Sequence, residues 1–222
     1  MAGEAQITGS DSTGADGSAG RNPERTRARI LAAATREFAL HGLGGARVDA
    51  IAERARANKR MIYHYFGNKE ALFRAVLEAA YLRIRRAEAR LPLERLSPPE
   101  ALAALVRFTW RYYLKHPEFL TLVNSENLHR ARHLRELPRV QAAYPPLVAR
   151  VQAVLDRGVA EGLFRPGVDP VQLNMTIAAV SYYYLTNRHT GAVVYGRDMM
   201  SPQALEERLE FNLQTVLRLV AA

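Results

Sequence analysis

Four side chains in one short stretch, Lys59, Arg60, Tyr63 and His64, have types and spacing that can do recognition chemistry. On a helix they share one exposed side, with Met61, Ile62 and either Tyr65 or Phe66 turned inward. Three long or rotatable donors and one flat ring suit guanine edges, thymine methyls and phosphates. Asn58, just before them, is a side chain that caps a helix start.

Two short helices must position this group. Val48, Ile51, Ala52 and Ala55 make one apolar face over Val48–Ala55, and the second helix covers Lys59–Phe66. Only Arg56, Ala57 and Asn58 separate them. Two short amphipathic helices with a three-residue turn predict a helix-turn-helix, whose second helix enters the major groove of duplex DNA.

Charge supports that partner. The 222-residue chain carries a formal net charge of +9. That total alone is equally a solvated surface, so its distribution decides. Residues 21–70 hold 11 Lys+Arg against 5 Asp+Glu, an excess matching that of the whole stretch 71–222. Such a local concentration is what phosphate binding needs.

Other chemistries are poorly supplied. There is no Cys, which excludes disulfides, thiolate nucleophiles and cysteine metal sites. His129 and His133 stand at i and i+4, a zinc-capable spacing, but Arg130 and Arg132 between them repel a cation. The expectation is no metal and no cofactor, with this stretch a solvated basic face or loop. Gly42-Leu43-Gly44-Gly45 lacks the Lys-Ser/Thr of a phosphate loop and reads as a helix stop. No nucleophile–base arrangement is readable from spacing, so no enzyme is expected. A helical enzyme or binding protein with an incidentally basic front is the rival, and salt-dependent DNA binding discriminates between them. The absence of a long apolar run predicts no membrane span, and the polar residues 1–20 predict a disordered tail rather than a secretory leader. A cytoplasmic protein is expected.

Helix signals fill the rest. Asn22-Pro23, His116-Pro117, Asp169-Pro170 and Ser201-Pro202 are cap-plus-Pro starts, and Ser97 with Glu100 forms a capping box. Gly42, Gly162, Gly191 and Gly196 read as stops, and Ala192-Val193-Val194-Tyr195 is the one strand-like run. The expected fold class is all-α, with nine or ten helices. Two late helices carry broad apolar faces: Leu173, Ile177 and Val180, then Leu205, Leu209, Leu213, Val216, Leu217 and Val220. They suit a four-helix bundle between two subunits, or else the core of one.

The runs Ile51-Ala52, Ile62-Tyr63-His64-Tyr65-Phe66 and Asn68-Lys69-Glu70-Ala71-Leu72 resemble the signature of the TetR family of bacterial transcriptional regulators. The chain departs from it in three places. Arg56-Ala57-Asn58 replaces Gly-Val-Ser in the turn, Arg47 replaces the Thr or Ser that caps the first helix of the motif, and Arg60 replaces a Gly. Arg56 must therefore accept a backbone conformation that Gly adopts freely, or the turn differs locally. The missing cap costs about 1 kcal/mol, although Arg47 can still reach a phosphate.

The resemblance implies an N-terminal three-helix, homeodomain-like DNA-binding domain over 21–68 and a helical regulatory and dimerisation domain over 69–222. It implies a homodimer on a palindromic double-stranded DNA operator, released by a small-molecule effector. An activator or a ligand-insensitive regulator of the same fold is the alternative. Arg47, Asn58, Lys59, Arg60, Tyr63, His64 and Lys69 are the implied DNA-binding set, with Lys69 opening the fourth helix on a phosphate. The family's effector cavity points to the aromatic and polar content of the second domain, with Trp110, Tyr113, Asn127, Tyr183 and Asn187 as candidates.

Overall fold

A computed structural model describes residues 23–222. The expected tail and the Asn22 cap lie outside the described residues. The chain is helical: α1 (Pro23–Gly45), α2 (Val48–Ala55), α3 (Lys59–Phe66), α4 (Lys69–Glu88), α5 (Pro98–Lys115), α6 (Pro117–Leu128), α7 (Pro138–Ala142), α8 (Pro145–Ala160), α9 (Pro170–Thr186), α10 (Arg188–Tyr195) and α11 (Pro202–Val220). Both helices of the motif have the expected bounds.

The starts follow local chemistry. Glu100 Oε2 accepts from the Ser97 backbone N–H at 3.1 Å, Asp169 Oδ1 accepts from the N–H of Val171 at 2.7 Å, and Ser201 Oγ accepts from that of Ala204 at 3.2 Å. Each satisfies donors that a helix start leaves open. Gly42 breaks α1 with φ 63°, and Gly196 ends α10 in the left-handed region. Two expectations are corrected. Gly191 lies inside α10, where a Cβ would meet the Met199 sulfur at 2.3 Å, so it is Gly for close packing rather than for a stop. The strand-like Ala192–Tyr195 run is the last turn of the same helix.

Two apolar clusters hold the molecule together. The first begins with Ile30, Phe38, Ile51 and Ile62 of α1–α3, passes through Leu72, Phe73, Leu77 and Ile84 of α4, and reaches Tyr113, Phe119 and Leu122. It therefore runs across the 68/69 boundary expected from sequence. The second joins Leu102, Leu105, Val151, Val154, Leu173, Ile177, Leu213 and Val216. Leu209 packs against both.

That second cluster corrects the reading of the late helices. Leu173, Ile177 and Leu213 are buried within this one chain, so their faces complete its own core. The apolar residues left outward on α9–α11 are others: Val171, Met175, Tyr183, Val193, Val194, Tyr195 and Phe211.

Candidate nucleic-acid interface

The recognition helix α3 is pinned from behind. Ile62 and Phe66 are buried, and Met61 and Tyr65 are half-buried against the same core. The guanidinium carbon of Arg27 sits 5.2 Å above the Phe66 ring. The outer side presents Lys59, Arg60, Tyr63 and His64, all exposed. Asn58 Oδ1 accepts from the Met61 N–H at 2.8 Å, and Asn68 Oδ1 caps α4 by accepting from the Ala71 N–H at 2.7 Å. Asn58 is thus tied up in the cap, with its side-chain amide group left on the exposed turn.

The turn adopts the conformation that its departure from the family pattern demands. Arg56 has φ 48° and ψ 46°, the left-handed region, which costs a side chain with a Cβ about 1–2 kcal/mol. Its N–H and that of Ala57 bond back to the Glu53 and Ala52 carbonyls at 3.0 Å each, closing α2. Arg47 makes no side-chain cap. Instead buried Glu37 reaches from α1, and its Oε1 accepts from the Arg47 N–H at 3.1 Å. One orphan donor at the start of α2 is satisfied by that route.

Two of the expected cations already have protein partners. Lys59 Nζ lies 3.0 Å from Asp49 Oδ1, and this hydrogen-bonded pairing holds its ammonium above the usual lysine range. Lys69 Nζ donates to the Gly44 carbonyl at 3.1 Å, tying the start of α4 to the end of α1. DNA must draw Lys59 away from Asp49, whereas Lys69 is held beside α3 in advance.

A basic groove adjoins the turn that was not singled out from sequence. Arg25, Arg29, Arg36, Arg54 and Arg56 line it between α1 and α2. A smaller recess lined by Arg29, Arg56, Asn58 and Met61 leads from it to the start of α3. The signal was present: positions 25, 29 and 36 lie four and seven apart, one stripe of a helix.

Beneath this surface, the loop after α6 is fastened to α4. Arg132 Nη2 lies 2.9 Å from Glu70 Oε1, and Arg74 pairs with Glu136 at 3.3 Å. The residues between the two histidines are not helical; Arg130 and Ala131 have φ 56° and 57°. His133 is buried rather than solvated, which corrects the sequence reading. Its Nδ1 lies 2.7 Å from Glu126 Oε2, while Glu126 Oε1 accepts from the N–H groups of His133 and Leu134 at 2.9 and 3.0 Å. The His133 ring meets Phe73 of α4 edge-on at 5.1 Å, and Phe73 meets Phe38 of α1 at the same distance. The polar pair is a fastening for the loop rather than a ligand set. Among the described residues no three His, Asp or Glu side chains group as metal ligands.

The five expected effector residues do not converge. Trp110 and Tyr113 are buried, Tyr183 and Asn127 face outward, and Asn187 is the half-buried end of α9. Asn127 Nδ2 is used locally on the Val123 carbonyl at 3.0 Å, and Asn187 Nδ2 on that of Tyr183 at 2.9 Å. Helical rotation separates neighbours: Glu126 is buried while Asn127 faces outward, and Tyr182 is half-buried while Tyr183 faces outward. A groove of about 940 Å³ between α4 and α5 has an apolar floor at Ala87, Leu91, Ala104 and Phe108 under a basic rim, and includes none of the five.

Comparison with known proteins places these features in a family. Residues 30–76 match the family described as bacterial regulatory proteins, tetR family, and residues 98–216 match the tetracyclin repressor-like C-terminal domain. The chain is 40% identical over 195 residues to the HTH-type transcriptional repressor NicS of Pseudomonas putida, covering 88% of this chain and 92% of that one. It is 30% identical over 182 residues to the HTH-type transcriptional repressor AcnR of Corynebacterium glutamicum, covering 80% and 89%. Among solved structures, a TetR family transcription regulator from Marinobacter aquaeolei superposes with a TM-score of 0.67 over 89% of this chain and 96% of that one. At 22% identity, that likeness bears on the fold alone. A structure described as the molecular basis for control of antibiotic production by bacterial hormones matches with a TM-score of 0.63 and 26% identity, over 89% and 98%.

Proposed function

Since this chain belongs to the TetR family of bacterial regulatory proteins, we propose that it is a ligand-responsive transcriptional repressor that binds a near-palindromic operator as a homodimer and is released by a small-molecule effector. The observation that carries the reading is α3: its inner side is locked into the core while Lys59, Arg60, Tyr63 and His64 stand clear on the other. Arg60 and His64 read base edges, Tyr63 offers its ring or hydroxyl, and Lys59 and Lys69 meet phosphates flanking the groove. Arg47 and the exposed turn at Asn58 contact the backbone on either side, and the arginine groove extends that contact.

A second copy of the chain completes the site, because one helix-turn-helix offers too little surface for a specific complex. The outward residues Met175, Tyr183 and Phe211 of α9 and α11 form the contact between copies. The reading is of a regulator and assigns no catalytic step to it. It acts in the cytoplasm, and no helix among the described residues is long and apolar enough to cross a membrane. The repressor names of the relatives favour repression over activation. Of the expected effector residues, Trp110 and Tyr113 are buried in the sensor half and are the two retained for the effector site.

Selection of bound duplexes from random DNA tests the proposal. A two-fold-related pair of half-sites about one helical turn apart, or a small multiple of that, is expected. Recovery of unrelated sequences, with binding that depends on salt alone, would remove the operator reading.

A further inference from the structure

A line of hydrogen-bonded side chains runs from the interior to the first turn of α4. Its inner end is Glu126 of α6, whose Oε2 lies 2.7 Å from His133 Nδ1. Both residues are only 2% exposed. Arg132 Nε donates to His133 Nε2 at 3.2 Å, and the same guanidinium donates through Nη2 to Glu70 Oε1 at 2.9 Å. Glu126, His133, Arg132 and Glu70 thus connect α6 to the helix that Lys69 opens.

These contacts assign the ring proton of His133. A guanidinium only donates, so Nε2 accepts and carries no hydrogen. The one ring proton is then on Nδ1, given to the Glu126 carboxylate. A second proton would place an N–H on Nε2 against the Arg132 Nε–H and set two cations side by side. That hydrogen bond would become a repulsion, while Glu126 remains as counter-ion and keeps the ring in place. The other groups around the ring do not relieve Arg132. From α6, the His129 ring is 5.5 Å away, with its Nδ1 engaged on the Ser125 carbonyl at 2.7 Å. From α4, Phe73 meets the ring edge-on, and the charged Glu70 and Arg74 pair with Arg132 and Glu136 on the outer side of the loop. From α1, Phe38 backs Phe73.

We propose that His133 is a proton-binding site coupled to the DNA-reading head, and that a proton taken up there weakens operator binding through Arg132 and Glu70. Three ion pairs tie the loop to one stripe of α4, at Glu70, Arg74 and Glu78. Among the described residues, only the Glu70 pair continues to a buried titratable group. Arg132, repelled by the imidazolium but still paired with Glu70, displaces the first turn of α4. Lys69 moves with it, away from the Gly44 carbonyl that holds its ammonium beside α3. Removing Arg132 leaves α4 where it is and gives the proton nothing to act through. The proposal rests on the reading of α3 as the DNA-reading helix and adds a second input to it.

The test uses the full-length protein and a selected duplex, at fixed ionic strength. Affinity is read by fluorescence anisotropy at about pH 8 and about pH 6, an interval in which imidazoles take up their proton. The wild type is expected to lose about fivefold more affinity over that interval than either His133→Asn or Arg132→Ala. Asn keeps a donor toward Glu126 and cannot be protonated; Arg132→Ala leaves the ring titratable and cuts the line. At about pH 8 all three should bind alike. His64 faces outward on α3 in each of them, so its own titration cancels from the comparison. Ring-nitrogen NMR spectra of the DNA-free protein should place the His133 proton on Nδ1 at about pH 8. A proton on Nε2 there, or a pH response as large in His133→Asn or in Arg132→Ala as in the wild type, would overturn the proposal. If His133→Asn does not fold, Arg132→Ala decides alone, since its side chain is more than half exposed. Normal binding at about pH 8 in those cases leaves the regulator reading standing, whereas no binding at either pH defeats that reading and this proposal together.

Discussion

Arg132 and Glu70 form an ion pair, 2.9 Å from Nη2 to Oε1, that joins the loop after α6 to the first turn of α4. Both side chains are more than half exposed, so the pair contributes little to stability, about 0–1 kcal/mol. Its position matters more, since Glu70 follows the lysine held beside the recognition helix. Arg132→Ala should leave unfolding temperature and ligand-free operator affinity nearly unchanged. It should reduce the factor by which ligand lowers that affinity. Operator titrations with and without effector read the coupling directly, and an unaltered factor would show that the message does not pass through this contact.

Asp49 holds Lys59 in the free protein, and removing that hold should be visible in salt dependence. Asp49→Asn is expected to raise affinity for random-sequence DNA and to steepen the plot of log affinity against log salt by about one. The opposite sign would mean that Asp49 orients Lys59 for the phosphate.

Contacts to bases and to phosphates should separate by specificity. Arg60→Ala is expected to cost about 1–3 kcal/mol on the operator and to relax preference at one base pair. Arg29→Ala and Arg36→Ala, in the basic groove, should weaken all duplexes alike and lower the salt slope by about one each. Fluorescence anisotropy on operator and scrambled duplexes distinguishes the two patterns. Equal losses for all three variants on both duplexes would place α3 outside the groove.

The subunit contact should respond at the outward residues and not at the inward ones. Met175→Glu or Phe211→Glu should yield folded monomer at micromolar concentration in a sedimentation experiment. Leu213→Glu, which buries a charge in the second apolar cluster, should instead unfold that half of the chain. A dimer unaffected by both outward substitutions would move the contact elsewhere.

Arg56→Gly relieves a left-handed residue at the cost of a more flexible unfolded chain. A net gain of up to about 1 kcal/mol is expected. The same change removes one cation from the basic groove, so stability should rise while DNA affinity falls. Thermal unfolding and a salt titration measure the two arms; a lower melting temperature would show that the Arg56 side chain contributes more than its backbone costs.

The helix-turn-helix was legible because its signals are local. Helical spacing sets the buried face of α3, Asn58 sets its start, and the departure at Arg56 forecast a left-handed residue at that position. The burial of His133 was not legible, since it depends on Glu126 reaching across a loop whose left-handed residues carry no glycine. Trp110 and Tyr113 lie inside as their types suggest, but no periodicity marks which tyrosine of the 182–184 run turns inward. The arginine stripe on α1 was readable and was passed over as bulk charge. The late apolar faces were found, but sequence alone could not divide the core of one chain from the contact between two.

The apolar cluster that runs from Ile30 through Phe73 to Phe119 makes the DNA-reading head and the body one cooperative unit. Heads of such regulators are attractive parts to exchange when a new promoter is to be placed under an existing sensor. In this protein a splice after Gly67 would leave Leu72, Phe73 and Leu77 facing a stranger's α1, with volumes not cut to match. An exchangeable cassette therefore has to carry the first half of α4 and the loop residues His129 to Arg132 as well, or it must redesign that seam. Rewiring is easier on the exposed side of α3, where Arg60 and His64 can be changed without any interior neighbour having to move.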